Sequence, residues 1–230
     1  MLRIGVNRRN ITIGLPAPAP GEDRRFPLTP EAAGMLVERG FTVKMQQGGA
    51  AAIHYPDLRY QQQGVEIVDR AEALRTDMVI YLSPLSPADA RGLKRGSMLM
   101  TLFPAVAADP EVVKTLLIKG IITIALDHIT DDGGHTPFAD ILAEIAGRAS
   151  MATASALLAD SVHGKGILLG GIAGIVPCEV TILGSGIDAI AAAQSAMGLG
   201  ATVRMFDNDT YSLRSALRQL GHGPPPARAD

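Results

Sequence analysis

Tryptophan is absent from these 230 residues, Cys178 is the only cysteine, and aromatic side chains make up 4% of the chain. A lone cysteine excludes an internal disulfide framework and suits a reducing compartment. With so few rings, Ala, Gly and the branched aliphatics must fill the core. The formal net charge is −2 at pH 7, which removes the electrostatic reason to expect nucleic acid or an anionic membrane as a partner. No apolar run reaches the length of a membrane span, and the N-terminus lacks a signal-peptide core. A cytoplasmic protein with no direct membrane insertion is therefore expected. No His/Cys pair stands at metal-ligand spacing, and no Gly-x-Ser-x-Gly elbow occurs. Neither a metal site nor a serine hydrolase is expected.

What the chain does contain is organised around Glu179-Val-Thr-Ile-Leu-Gly-Ser-Gly186 and the small-residue stretch that follows. Residues 180–183 form a short β-branched run, the pattern of a strand buried on both faces. The run breaks at Gly184-Ser185-Gly186, where a helix over residues 187–198 is predicted. A second apolar run, residues 201–206, ends in Asp207. Strand, Gly-x-Gly-x-x-Ala turn, helix and strand with a terminal acid are the parts of a dinucleotide-binding unit. Gly184 permits the tight turn, and Gly186 lets the backbone approach a pyrophosphate. Ala189 keeps the helix near the sheet, while the free N–H groups of Ile187 and its neighbours face the phosphates. Asp207, roughly 20 residues on, can accept hydrogen bonds from the adenosine ribose. A carboxylate repels a 2′-phosphate, so the expected cofactor is NAD rather than NADP.

The rest of the chain alternates strand and helix. Strands are predicted over 10–15, 41–45, 65–68, 78–82, 98–103 and 121–125. Helices are predicted over 56–64, 70–74 and 109–119, with another opened by Thr29 as N-cap, Pro30 and Glu31 and closed by Gly40. Residues 83–87 read as a loop. This alternation implies an α/β class: two doubly wound parallel-sheet domains with helices on both faces, the second an incomplete Rossmann unit. The boundaries fall at 1–135 for the first domain, 136–176 for an interdomain helix and Gly-rich connector, and 177–230 for the partial dinucleotide domain. The helix over 138–159, rich in Ala, Ile and Leu, is expected to be buried. Only one βαβ portion of the second fold is legible, and its first strand has no later strand to fill its other side.

Several stretches together resemble one family. Pro20-Gly-Glu-Asp-Arg-Arg-Phe-Pro-Leu-Thr-Pro30 is similar to the opening substrate-site motif of alanine dehydrogenases and of the α subunits of proton-pumping NAD(P) transhydrogenases. Leu142-Ala-Glu-Ile-Ala-Gly-Arg148 resembles their interdomain helix, and the run from Gly166 through Gly174 to Gly186 resembles their approach to the cofactor loop. Glu144-Ile-Ala-Gly-Arg148 is closer to the alanine dehydrogenase branch, since the Arg-Gln-Asp loop of the other branch is not found. The resemblance implies that Arg25 binds the substrate carboxylate, a role for which a guanidinium offers two parallel donors.

Two departures bear on activity. The family carries a substrate-binding Lys after its fourth strand, and the matching Ile80-Tyr-Leu-Ser-Pro84 has none. It carries a catalytic His before an Ala-Asp-Pro turn, and the segment from Thr101 to Pro110 has none. Oxidative deamination needs a base for the proton and a cation for the carboxylate. His54 and His128 are the available substitutes, and His128, after a strand, is the better placed. The resemblance therefore implies an NAD-dependent oxidoreductase converting L-alanine to pyruvate, impaired in this chain alone. The alternatives are a non-catalytic relative that binds a nucleotide or partner, and the NAD(H)-binding part of a split transhydrogenase. A small amino or keto acid is the expected ligand besides NAD. A homo-oligomer, or a partner chain completing the Rossmann half, is the expected assembly.

Overall fold

The computed structural model describes residues 11–19, 24–102 and 109–221, and the chain divides into two compact units between Ile129 and Thr130. The first comprises β1 (Thr12–Leu15), α1 (Pro30–Glu38), β2 (Thr42–Gln46), α2 (Asp57–Gln61), β3 (Glu66–Val68) and α3 (Arg70–Leu74), followed by β4 (Met78–Ile80), α4 (Pro87–Gly92), β5 (Met98–Thr101), α5 (Pro110–Lys119) and β6 (Ile122–Ala125). The helix starts are locally encoded. Thr29 accepts from the Ala32 N–H with Pro30 in the first turn, and Asp69 and Asp109 cap α3 and α5 in the same way. Helix α4 was not expected in the sequence: residues 83–87 read as loop because of their two prolines. Yet Ser86 caps it and Pro87 opens it, the position where a missing N–H costs nothing.

The six strands run in the order β3-β2-β1-β4-β5-β6, and every pairing is parallel. Strand order reverses between β1 and β4, and a crevice at the carboxyl ends of these two strands is where such sheets hold ligands. Alternate residues of β4 serve opposite faces. Val79 and Tyr81 join the cluster with Leu74, Leu93, Leu99 and Val112, while Met78 and Ile80 pack against Ile13, Leu15, Val43 and Met45. Both faces are thus covered, as a parallel sheet requires.

Tyr60 is fully buried and donates from its hydroxyl to the Leu28 carbonyl at 2.7 Å, while its ring meets Phe26 edge-on. Burial pushes its phenol up to about 12. This side chain fixes the segment that carries Arg25 and leads into α1.

Asp77 ties the start of β4 to β1. Its carboxylate accepts from Lys94, from the Thr12 N–H and from the Thr12 hydroxyl, which together lower its pKa from 3.8 to about 2. A depressed carboxyl stabilises the fold above its unfolded pKa, and that contribution disappears as pH falls from about 4 to about 2. The group is 38% exposed, so solvent screening keeps the effect to about 1 kcal/mol. Urea unfolding of Asp77→Asn should show that deficit at pH 7 and none at pH 2; an equal deficit at both would assign the effect to shape rather than charge.

The second unit comprises α6 (Pro137–Ala159), β7 (Glu179–Leu183), α7 (Ile187–Gly198), β8 (Thr202–Phe206) and α8 (Thr210–Leu220). β7 and β8 pair in parallel, Glu179 opposite Thr202 through Leu183 opposite Phe206. Ala189, Ile190, Ala193, Ala196, Val203, Met205, Leu213 and Ala216 form the core between α7, α8 and the sheet. One expectation is corrected here. Of α6 only Gly147 is buried, and Phe138, Ile141, Ile145 and Leu157 are exposed. Its small residues pack one narrow face against α7, leaving the apolar stripe on the other side uncovered. By length and composition α6 is also long and apolar enough to cross a membrane, with a mean hydropathy of 1.2 over its best window. Asp140, Glu144 and Arg148 interrupt its apolar run.

Candidate functional site

β7 delivers the chain to Gly184 at φ 117°, a left-handed conformation open to glycine and costly for any side chain. The Gly184 N–H donates to the Phe206 carbonyl at 2.7 Å, extending the ladder one step and bringing the turn beside the end of β8. Gly186 then caps α7 with no side-chain hydrogen bond. The first N–H groups of a 12-residue helix are therefore left to a ligand or to water. Ala189 is buried beneath the turn, which seats the helix close to the sheet. From the other side, Gly147 of α6 meets α7 so closely that a β-carbon there would lie 2.1 Å from the Asp188 carbonyl oxygen. Arg148 flanks that contact, paired to Glu144 at 2.7 Å and reaching Gln194 of α7 at 3.4 Å.

Asp207 stands at the end of β8, and Ser185 donates to its Oδ2 at 2.6 Å. The Ser185 hydroxyl, backed by the Asp209 N–H on Oδ1, holds the Asp207 carboxyl below its ordinary range. Asp207 is thus ionised at neutral pH and aimed at the turn. Asp209 faces away, capping α8 through the Tyr211 and Ser212 N–H groups. Gly184, Ser185, Gly186, Ile187, Ala189 and Asp207 come together at one end of the β7–β8 pair. Bare backbone, an uncapped helix start and an acid at the second strand's tip fit the adenosine half of a dinucleotide such as NAD. The Ser185–Asp207 bond was not anticipated from the sequence, although a hydroxyl inside the turn was the available signal.

The residues proposed for chemistry lie in the first unit. Arg25 is exposed on the segment held by Tyr60. His128 ends a short 3₁₀ turn after β6, 67% exposed and 4.0 Å from Asp127. His54 is exposed and has φ 64°. Pro20 to Asp23 of the opening motif, and residues 103–108 of the segment lacking the family's His, lie outside the described residues.

At the β1/β4 reversal the structure shows a cation the sequence reading did not single out. Arg70 donates through Nε and Nη2 to both Asp89 oxygens at 2.7 and 2.8 Å. Through Nη1 it reaches the Ala17 carbonyl and Gln46, at 2.9 and 3.0 Å, and Nη2 also reaches Tyr81 at 3.4 Å. A guanidinium has about five donors, and these bonds use them all. Burial works against ionisation of Asp89, but Arg70 and Ser86 outweigh it and lower its pKa. Arg70 is raised further, its bond to Asp89 being the main cause. Nearby Ser83 is buried, its hydroxyl unpartnered among the described residues.

Residues 14–146 match the family described as alanine dehydrogenase/PNT, N-terminal domain, and residues 150–223 match its C-terminal domain. The chain belongs to the alanine dehydrogenase/PNT family. It is 32% identical over 204 residues to an alanine dehydrogenase of Bilophila wadsworthia, covering 88% of this chain and 54% of that protein. It is 30% identical over 211 residues to the alanine dehydrogenase of Bacillus subtilis, covering 91% and 55%. A solved L-alanine dehydrogenase superposes with a TM-score of 0.86 at 28% identity, over 96% of this chain and 61% of that one. A transhydrogenase from Sinorhizobium meliloti, at 20% identity and a TM-score of 0.72, over 91% of this chain and 60% of that one, shares the fold. The chain spans about half the length of the curated relatives it matches.

Proposed function

We propose that the second unit binds the adenosine half of NAD(H), and that the chain is an alanine dehydrogenase-type oxidoreductase whose turnover by itself is impaired. The observation that supports the binding is the Ser185–Asp207 pair beside the uncapped start of α7. Asp207 would accept from the ribose hydroxyls, and the N–H groups after Gly186 would meet the phosphates. NAD, when bound, supplies the hydride acceptor; Arg25 would hold the carboxylate of an amino or keto acid. The missing Lys and His support the impairment. So does Arg70, the cation at the strand reversal, whose donors are committed to the protein itself. A non-catalytic, nucleotide-binding relative is the second reading, favoured by the same absences. The family membership and the single cysteine support a cytoplasmic setting.

Calorimetric titration with NADH, NADPH and ADP-ribose tests the binding. NADH should bind more tightly than NADPH, and Asp207→Ala should weaken NADH by about tenfold, as expected for loss of hydrogen bonds to a charged group. Tight NADPH-preferring binding would sink the assignment of Asp207. Alanine-dependent NAD reduction should not exceed background. A robust rate abolished by His128→Ala would install His128 as the base and remove the claim of impairment.

The same unit supports an oligomer or a docked partner chain. β7 pairs only with β8 among the described residues. Leu183 is 83% exposed and Ile187 half-exposed, and a strand edge left unpaired near apolar surface is a template for association. Light scattering over a concentration series should show a species larger than a monomer, with β7 protected from hydrogen exchange in it. A monomer at every concentration that binds no partner chain would end this reading.

A further inference from the structure

Ser185 lies between the two glycines of the turn, a position from which a hydroxyl could meet a pyrophosphate. The structure spends that hydroxyl elsewhere. Gly184 donates its N–H to the Phe206 carbonyl at 2.7 Å, which brings the turn level with the end of β8 and sets Ser185 beside Asp207. The Ser185 residue is 7% exposed, and its hydroxyl donates to Asp207 Oδ2 at 2.6 Å. A hydroxyl has a single proton to donate. This one is committed to the acid, and only backbone N–H groups are left for a phosphate. On the other oxygen, Oδ1 accepts from the Asp209 N–H at 2.9 Å. With a donor on each oxygen, both torsions of the Asp207 side chain are held. The O–H···O⁻ bond of the pair has the short length of the stronger, charge-assisted class. Asp207 is half-buried, so the rest of its carboxylate stays open to a ribose.

Resting on the reading that this turn holds a nucleotide, we infer that Ser185 is a positioning residue that fixes the sugar class of the site. It holds Asp207 so that the carboxylate meets a ribose with free 2′ and 3′ hydroxyls. The Ser185 hydroxyl acts through Asp207 and makes no bond to the ligand. Two vicinal hydroxyls can satisfy a fixed carboxylate together. A sugar without the 2′ hydroxyl loses one of those bonds, and a 2′-phosphate meets a negative charge that cannot swing away. An Asp207 released to rotate would bond the diol less well and tolerate the phosphate better. The acid alone supplies the preference for an unphosphorylated ribose, and Ser185 supplies its sharpness.

The test is calorimetric titration of the chain, Ser185→Ala, Asp207→Ala and the double variant with ADP, 2′-deoxy-ADP, NADH and NADPH. The unsubstituted chain should prefer ADP to 2′-deoxy-ADP and NADH to NADPH. Ser185→Ala should weaken ADP and NADH by about three- to tenfold, the range for one hydrogen bond. 2′-Deoxy-ADP and NADPH should change by less than about twofold, so both preferences shrink. A partly unfolded fraction would lower paired affinities alike and leave each ratio unchanged. The ratios therefore read positioning rather than folding. Ser185→Cys, whose thiol is a weaker donor, should give ratios between those of the chain and Ser185→Ala. In the Asp207→Ala background, Ser185→Ala should change nothing. An equal preference for ADP over 2′-deoxy-ADP in the chain and Ser185→Ala would overturn this inference while leaving nucleotide binding intact. So would a Ser185→Ala effect that persists in full without Asp207, since the hydroxyl would then meet the ligand itself. If none of the four ligands binds the unsubstituted chain, the nucleotide-binding reading fails and takes this one with it.

Discussion

Gly147→Ala is expected to lower the unfolding free energy of the second unit by about 2–3 kcal/mol, the upper range for an overpacked contact. A β-carbon at that position would lie 2.1 Å from the Asp188 carbonyl oxygen, 2.9 Å from its carbon and 3.0 Å from the Ala191 β-carbon. The nearest atoms are backbone, so no rotamer change relieves the clash, and α6 must slide or tilt away from α7. Opposing this, alanine is favoured over glycine inside a helix by about 1 kcal/mol, and the expected loss stands net of that gain. Thermal or urea unfolding measures the size. Hydrogen exchange at 186–189 should rise in the same variant, because the residue struck belongs to the first turn of α7. Ala149→Gly, on an exposed turn of the same helix, controls for propensity. A Gly147→Ala protein more stable than its parent would show that the two helices are not held by this approach.

The second unit was the more legible in sequence, and its contacts show how far such reading reaches. The β-branched run at β7, the break at Gly184 and the acid at Asp207 each carry a local cause, so their order along the chain already implies the turn. What the turn does electrostatically depends on directions that no spacing records. Ser185 could point anywhere until β8 comes alongside β7 and brings Asp207 within reach of its hydroxyl. α6 misled for a related reason. Its composition is that of a buried helix, whereas burial is decided by neighbours, and among the described residues only a narrow strip around Gly147 is covered. In the first unit the capping residue Thr29, with Pro30, announced α1. α4 was announced equally well by Ser86, Pro87 and Asp89, but two prolines in five residues were weighed as loop. The strand order could not be read at all, because the reversal between β1 and β4 depends on pairing at long range. Arg70 and Asp89, 19 residues apart in sequence, become partners only through it.

Arg70→Ala is expected to cost about 3 kcal/mol, the range in which half of a buried ion pair is removed, taken at its low end because the Arg70 side chain is 33% exposed. The loss has two parts. Asp89, 12% exposed, keeps only Ser86 as a hydroxyl partner at 2.8 Å, so burial would then push its carboxyl up. The Ala17 carbonyl and Gln46 lose a shared donor at the carboxyl ends of β1 and β2. Asp89→Ala should cost a similar amount by stranding the guanidinium. Replacing both, as Arg70→Met with Asp89→Leu, should recover most of the stability, because a matched apolar pair avoids the desolvation that the ion pair has to overcome. The cycle separates two views of this cluster. If the double variant is as stable as the parent, the charges are kept for something other than stability, and the strand reversal, where sheets of this order take ligands, is where to look. If Arg70→Ala costs less than about 1 kcal/mol, water already replaces the pair. The guanidinium is then free to turn toward a substrate carboxylate, and the case for impaired turnover loses one of its supports.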